Sequence, residues 1–189
     1  MAANAAGNIA PGMVMFAYER IPLGISASMP KSFAIGKSES GWMTAETFYE
    51  YITNVFYPCA VKIEIEFPII FFIDGHSSHL TLPLSDFCTE RKIILIALDP
   101  NSTHITQPMD VAVFRSLKNC WRNEINNWRI HDNGSKIKKE NFGPVLAKTI
   151  GNSITPKIIL NGFRTAGLCP FNADAINYQK YFKSNITEI

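Results

Sequence analysis

Residues 68–79 read PIIFFIDGHSSH, and this stretch decides the fold. An apolar run from Pro68 to Ile73 stops abruptly at a carboxylate, Asp74, and two histidines follow it. A buried strand that delivers an acid to the carboxyl edge of a sheet has this pattern, and open α/β sheets place their sites at that edge. The stretch therefore predicts an α/β fold with a functional site at Asp74.

A second acid, Asp110, follows the next apolar run in the same way. Residues 93–98 are six apolar residues in a row, which predicts a strand covered on both faces. A short helix over residues 82–92 fits between the two strands. The order strand, Asp74, helix, strand, loop, Asp110, helix puts both acids at the same edge of a parallel pair.

The segment after Asp110 predicts a long helix that ends near His131. Its apolar residues recur at steps of three and four, which makes one face of the helix apolar. They are Val111, Phe114, Leu117, Trp121, Ile125 and Trp128. Asp110 falls on the same side, so we expect it to face the sheet. A carboxylate in that position must be capped, paired or bound to a cation.

Two groups of basic residues are candidates for contacts with phosphates. One lies about a quarter-turn from the apolar stripe and comprises Arg115, Lys118, Arg122 and Arg129. The other comprises Lys136, Lys138 and Lys139. A solvated helix face with snorkelling side chains explains the first group equally well.

The rest of the chain gives weaker signals. We expect a strand over residues 13–18, a loop over 21–40 and a helix from Thr44 up to Pro58. Two shorter helices are expected over 140–152 and 156–165.

Composition places limits on the class of protein. The chain has 189 residues, and because 47% of them are hydrophobic it can build a core. Its formal net charge is only +2, so the chain as a whole is not strongly basic. Its four cysteines are far apart, which favours reduced thiols over a disulfide framework. No apolar run is long enough for a membrane span. We expect one domain over residues 1–172 and a polar tail over 173–189.

The two aspartates and the histidines suggest different chemistry. Two or three carboxylates at one sheet edge form an oxygen-rich site for Mg²⁺ or Mn²⁺. Alternatively, Asp74 simply ends a strand and Asp110 caps a helix. A third interpretation is a zinc metallohydrolase with ligands from Asp74, His76, His79 and His104. In a fourth, His76 and His79 bond to the loop and orient Asp74.

Five segments in order resemble the DDE-type transposase domain of pogo, Tigger and jerky elements, the branch that includes centromere-binding protein B. They are NAAG at 4–7, KSESGWM at 37–43, DGHSSH at 74–79, QPMDV at 107–111 and GFRTAGLCPF at 162–171. The resemblance covers nearly the whole chain. The family usually has Asn after its second acid, and Gly75 stands there in this chain.

The resemblance implies an RNase H-like fold, in which a mixed sheet is flanked by helices. It implies three acids that bind two divalent ions, Mg²⁺ or Mn²⁺, and cut and join DNA in the nucleus. Asp74 matches the second acid and Asp110 the third. Residues expected to orient them are His76, His79, Asn101 and Gln107. The family's first acid lies upstream of the 4–7 segment, so we expect the sheet to lack its first strand or strands.

Further expectations follow from that missing strand. The strand that carries Asp74 would have an open edge, and the strand over 13–18 would not reach it. Strand transfer by this chain alone is not expected, because a two-ion site needs a third ligand set. We also expect marginal stability in isolation. An alternative function is a domesticated module that binds DNA, other proteins or a second copy of itself.

Overall fold

Four short strands form two separate parallel pairs in the computed structural model, which describes residues 1–76, 79–99, 102–131, 134–176 and Tyr178. The strands are β1 (Met13–Phe16), β2 (Ala34–Lys37), β3 (Ile69–Asp74) and β4 (Ile93–Leu98). Strand β1 pairs with β2, and β3 pairs with β4. The chain is therefore an α/β protein, but its described strands do not form one mixed sheet.

Eight α-helices surround these strands in the described part of the chain. They are α1 (Leu23–Ser28), α2 (Ala45–Tyr51), α3 (Tyr57–Lys62), α4 (Leu82–Glu90), α5 (Thr103–Thr106), α6 (Phe114–His131), α7 (Lys139–Ser153) and α8 (Pro156–Thr165). Two π-helical turns join neighbouring helices, Ile52–Phe56 between α2 and α3, and Met109–Val113 before α6. A short 3₁₀ turn covers Ala173–Ala175, and most of the expected polar tail lies outside the described residues.

The β3–β4 pair confirms the predicted order of elements. The two strands pair parallel over six residues, from Ile69 opposite Ile93 to Asp74 opposite Leu98. Helix α4 makes the crossover between them. Both strands therefore end at one edge, and Asp74 stands at that edge.

The prediction that both faces of β4 are covered is wrong. Ile70 and Ile94 are paired neighbours on one face and are 56% and 50% exposed, respectively. On the opposite face Ile73 and Ile93 are buried. A continuous apolar run thus gives one core face and one exposed apolar face here.

The main core is enclosed by three parts of the fold. These are α2 with the π turn that follows it, the β3–β4 pair, and α4. It is formed by buried residues of these elements together with one residue from the N-terminal segment. They are Ala2, Phe48, Tyr51, Ile52, Phe56, Ile73, Leu84, Cys88 and Ile93. Because Ile73 belongs to this cluster, the core fixes the strand at the residue before Asp74.

The expected loop over residues 21–40 contains helix α1 and strand β2 instead. Both elements are short, and their stability comes from partners that local sequence does not reveal. Ile25 of α1 is buried, and α1 packs on α7. Strand β2 exists because its backbone pairs with β1 over four residues.

The helix expected to stop at Pro58 instead continues to Lys62 as α3. Its start is as predicted, because Thr44 and Thr47 form a reciprocal capping box. Pro58 is the second residue of α3 and follows the end of the π turn by two positions. Burial of Phe56 and Ala60 on either side of Pro58 keeps the chain helical.

The three helices that the sequence predicts after Asp110 are present as α6, α7 and α8. The apolar stripe of α6 faces inward, since its members are partly buried while Arg115, Lys118 and Arg122 are exposed. Trp121 contacts Phe142 of α7, with ring centroids 5.4 Å apart. The inner side of α6 thus packs chiefly on α7 rather than on the sheet.

Candidate functional site

Asp74 and Asp110 come together at the carboxyl end of β3. Asp74 is the last residue of that strand, and Asp110 lies in the π turn Met109–Val113. The two carboxylates are close enough that the charge of Asp74 raises the pKa of Asp110. The structure therefore brings Asp74 and Asp110 within electrostatic range of each other.

Two histidines hold the loop that follows Asp74. The backbone N–H of His76 donates to Oδ1 of Asp74 at 2.8 Å, and Nδ1 of His79 lies 3.3 Å from the Asp74 carbonyl oxygen. The ring of His79 also lies against Phe48 of α2, with centroids 4.2 Å apart. These contacts support the interpretation in which the histidines orient Asp74.

Asp110 lies in a mixed environment of burial, a cation and a second anion. Partial burial is the largest influence and raises the pKa of the Asp110 carboxyl. The nearby Lys118 ammonium lowers that pKa, and Asp74 raises it. The net direction is upward, so the ionised form of Asp110 is disfavoured in the folded protein. A bound cation would relieve this cost, and oxygen ligands of this kind suit Mg²⁺ or Mn²⁺.

We expect Asp110→Asn to raise the melting temperature of the metal-free protein at pH 7. The folded-state pKa of Asp110 is raised from its ordinary value of 3.8, so the folded protein binds the proton more tightly than the unfolded chain. Its contribution to stability is greatest below that ordinary value and falls as pH rises through the raised pKa. Asparagine stays neutral at these pH values, so the variant does not lose stability in this way as pH rises. Thermal melts of both proteins between pH 3 and pH 8 (roughly the span on either side of an acid's titration) measure the difference.

The difference in melting temperature should shrink at the acidic end of that series, where Asp110 itself is neutral. Asp86→Asn, which changes an exposed carboxylate on α4, is the matched control. An Asp110→Asn protein that melts lower than the wild type at neutral pH would contradict the prediction. A gain in melting temperature that does not vary with pH would contradict it as well.

The other expected orienting residues differ in their placement. Asn101 lies outside the described residues. Gln107 lies three residues before Asp110, and its Nε2 is buried without a hydrogen-bond partner in the described structure. Its backbone carbonyl accepts from the Val111 N–H at 3.0 Å, so Gln107 is tied to the turn that carries Asp110.

The described residues do not support a zinc site. No three His, Cys, Asp or Glu side chains among them are placed to share one metal ion. His104 is exposed on α5 and does not join His76 and His79 in such a group. Nor does a third side chain of these types join Asp74 and Asp110 in the described part of the chain.

The predicted basic residues divide into three kinds. Arg115, Lys118 and Arg122 are exposed along α6, and Lys118 is near enough to Asp110 to affect its pKa. Lys136 and Lys138 are exposed before α7. Lys139 is already engaged, because its Nζ donates to the Tyr18 hydroxyl at 2.7 Å and lies 4.4 Å from that ring's centroid. The α6 group thus includes a lysine whose charge reaches Asp110.

An apolar cleft of about 480 Å³ lies along β3, which among the described strands pairs only with β4, and residues within the N-terminal segment 1–10 also line the cleft. Residues from both faces of the strand line it, including Ile70 and Phe71, which places the cleft at the edge of the strand rather than over one face. Met109, the neighbour of Asp110, also lines it. The cleft therefore follows the strand that carries Asp74 and reaches the turn that carries Asp110.

Sequence reasoning missed the cleft and the contact of Phe48 with His79. The open edge was expected, but nothing in the sequence shows that Phe56, Ala60 and Phe163 from separate helices would line it. Phe48 lies in α2, within the helix that the sequence predicts from Thr44. A contact between side chains 31 positions apart leaves no local signal.

These features define an α/β protein with an acidic pair at the edge of a parallel strand pair and a basic helix beside it. The sequence family described as DDE superfamily endonuclease matches residues 1–163, and the chain belongs to that family. Members of this family generally use divalent metal ions. The resemblance found in the sequence is confirmed at the level of this superfamily.

A fungal relative is similar over most of the chain. It is a protein of Cochliobolus lunatus named MFS-type transporter clz9, 31% identical over 175 residues. The matched segment is 92% of this chain but only 19% of that protein. No solved structure matches the chain significantly. Among the described helices, none combines the length and apolar character needed to cross a membrane.

Proposed function

We propose that this chain carries two of the three carboxylates of a metal-dependent DNA endonuclease site, Asp74 and Asp110. The observation that carries the proposal is that the charge of Asp74, at the end of β3, raises the pKa of Asp110, in a chain of the DDE superfamily endonuclease family. The finer assignment is to the pogo, Tigger and jerky type, with an RNase H-like fold and a nuclear location. The motifs quoted from the sequence support it.

The donor set fits part of a divalent-ion site. Asp74 and Asp110 offer carboxylate oxygens, and His76 keeps one Asp74 oxygen oriented through its backbone N–H. A bound Mg²⁺ or Mn²⁺ would activate the attacking oxygen and stabilise the leaving oxygen of a phosphodiester. The residues themselves orient the acids, and Lys118 and its α6 neighbours are available to hold the DNA backbone.

A third carboxylate would have to come from outside the described cluster. The cleft along β3 offers a place for it, because an extended strand seated there would satisfy the free backbone groups of β3. The end of that strand would lie beside Asp74. We propose that such a strand, with an acid at its end, completes both the sheet and the site. Strand transfer by Asp74 and Asp110 alone is not expected.

We expect the two acids alone to bind Mn²⁺ weakly and DNA cleavage to be undetectable until the third carboxylate is present. Asp74→Asn and Asp110→Asn should each remove the Mn²⁺ binding, since neither leaves more than one carboxylate in the site. Titration followed by electron paramagnetic resonance measures free Mn²⁺ directly. Asp86→Asn should bind as the wild type does. Equal Mn²⁺ binding by all four proteins would rule out the site.

The cleft also favours a second candidate function, a module that binds another protein by accepting one of its strands. The apolar lining and the free edge of β3 support this without any metal. Mn²⁺ binding that depends on both acids separates the two candidates, because strand capture alone does not need Asp74 or Asp110. Membrane transport is not proposed, since the relative with that name shares only a small part of its length with this chain.

A further inference from the structure

Helix α8 lies unusually close to the segment that carries Asp110. The contact is made at Gly162, a buried residue in the middle of the helix. A Cβ atom added there would lie 2.5 Å from the carbonyl oxygen of Pro108 and 3.3 Å from Cβ of Ala112. The backbone of Gly162 is helical and needs no glycine for its conformation. The glycine is therefore explained by the close approach alone.

The neighbours of Gly162 make this contact a fixed one. Ile159, one turn earlier on α8, is buried, and Val113, the last residue of the π turn, is fully buried. Pro108 itself is buried and directly precedes the turn. The helix and the turn are thus in van der Waals contact across several residues, so the position of one determines the position of the other.

The π turn adds a second constraint on Asp110. In this turn the Phe114 N–H donates to the Met109 carbonyl, five residues earlier, whereas an α-helical N–H donates to the carbonyl four residues earlier. Such turns insert an extra residue into a helix and occur frequently at functional sites. The turn sets the direction in which Asp110 leaves the helix axis, and Pro108, two residues earlier, anchors its start.

We propose that Gly162 is a positioning residue for Asp110: by having no side chain it lets α8 press on Pro108 and hold the π turn in place. The inference rests on the proposed metal site and extends it. It assigns to a residue of the distant GFRTAGLCPF segment an effect on the acidic pair. Gly162 touches neither carboxylate and acts only through the backbone of Pro108 and through Ala112.

Gly162→Ala tests the proposal. The new methyl must move about 1 Å from the Pro108 oxygen to reach an ordinary contact distance, and the π turn moves with it. We expect Mn²⁺ affinity to fall about 10- to 100-fold, the usual effect of disturbing a group that orients a metal ligand. In the metal-free protein the NMR shifts of Asp110 and its neighbours should change. Gly151→Ala on α7 is the matched control, because nothing lies within 4 Å of the added Cβ.

Further variants separate positioning from stability. Val145→Ala removes buried methyl groups from α7, away from the contact between α8 and Pro108, so it should lower stability and leave Mn²⁺ affinity unchanged. If Gly162→Ala does not fold, Ala112→Val adds bulk at the same contact and takes its place. A folded variant whose Asp110 shifts and Mn²⁺ affinity match those of Gly151→Ala overturns the proposal. If the wild type binds no Mn²⁺, the metal site fails, while the metal-free shifts still decide the role of Gly162.

Discussion

Replacing Ile52 by alanine is expected to lower the free energy of unfolding by about 2 to 5 kcal/mol. Ile52 is 0% exposed and belongs to the core cluster that joins α2 to the β3–β4 pair. Deleting its side chain beyond Cβ removes buried apolar atoms and leaves a cavity that the surrounding residues only partly fill. In a chain of this size the melting temperature should drop by roughly 4 to 20 °C.

Urea unfolding followed by circular dichroism measures this loss. Ile52→Val, which deletes a single methylene, should cost about 0.5 to 1.5 kcal/mol and gives an internal scale. Leu23→Ala is the surface control, since Leu23 is 86% exposed and should change stability by less than about 0.5 kcal/mol. If Ile52→Ala lowers the free energy of unfolding no more than Leu23→Ala does, this cluster is not the main core.

The Ile52 cluster also links stability to the site. Ile73 belongs to the same cluster and directly precedes Asp74, so the core sets the position of that acid along β3. Asp110 is held separately, by the contact of the π turn with α8. The two carboxylates are therefore supported by different parts of the fold. A variant that loosens one support need not loosen the other, and Ile52→Ala and Gly162→Ala should affect the site differently.

Long, strongly periodic segments were predictable from the sequence alone. The period of the apolar stripe is enough to define α6, and the apolar runs are enough to define β3 and β4. The edge at which Asp74 stands was also predictable, because parallel strands joined by a helix must end on the same side. These inferences rest on local pattern and on the geometry of one crossover.

Features that depend on distant partners were not predictable. Helix α1 is only six residues long and depends on α7, and β2 depends on its pairing with β1. The exposed face of β4 looks the same in sequence as a covered one, since Ile94 and Ile96 are as apolar as Ile93. Gly162 carries no periodic signal, because a close approach between two backbones is a property of tertiary packing.

A large effect on function is expected when three basic residues of α6 are removed together. Arg115, Lys118 and Arg122 lie at steps of three and four along one exposed side of the helix, and the Lys118 charge lowers the pKa of Asp110. Each contact with a DNA phosphate adds about 0.9 to the slope of log affinity against log salt concentration. Changing all three to alanine should therefore reduce that slope by about 2.7 and lower affinity at about 0.1 M salt roughly 10²- to 10³-fold.

Fluorescence anisotropy with a labelled duplex, at several KCl concentrations, measures both quantities. The matched control changes Lys31, Lys62 and Lys157 to alanine, which removes the same positive charge from exposed positions on other elements. Lys139 is left out of both sets because its ammonium already binds Tyr18. If the two triple variants weaken DNA binding equally, net charge rather than the α6 surface governs the interaction. A selective loss in the α6 variant places the DNA backbone beside Asp110, where a phosphodiester must lie for Asp74 and Asp110 to act on it.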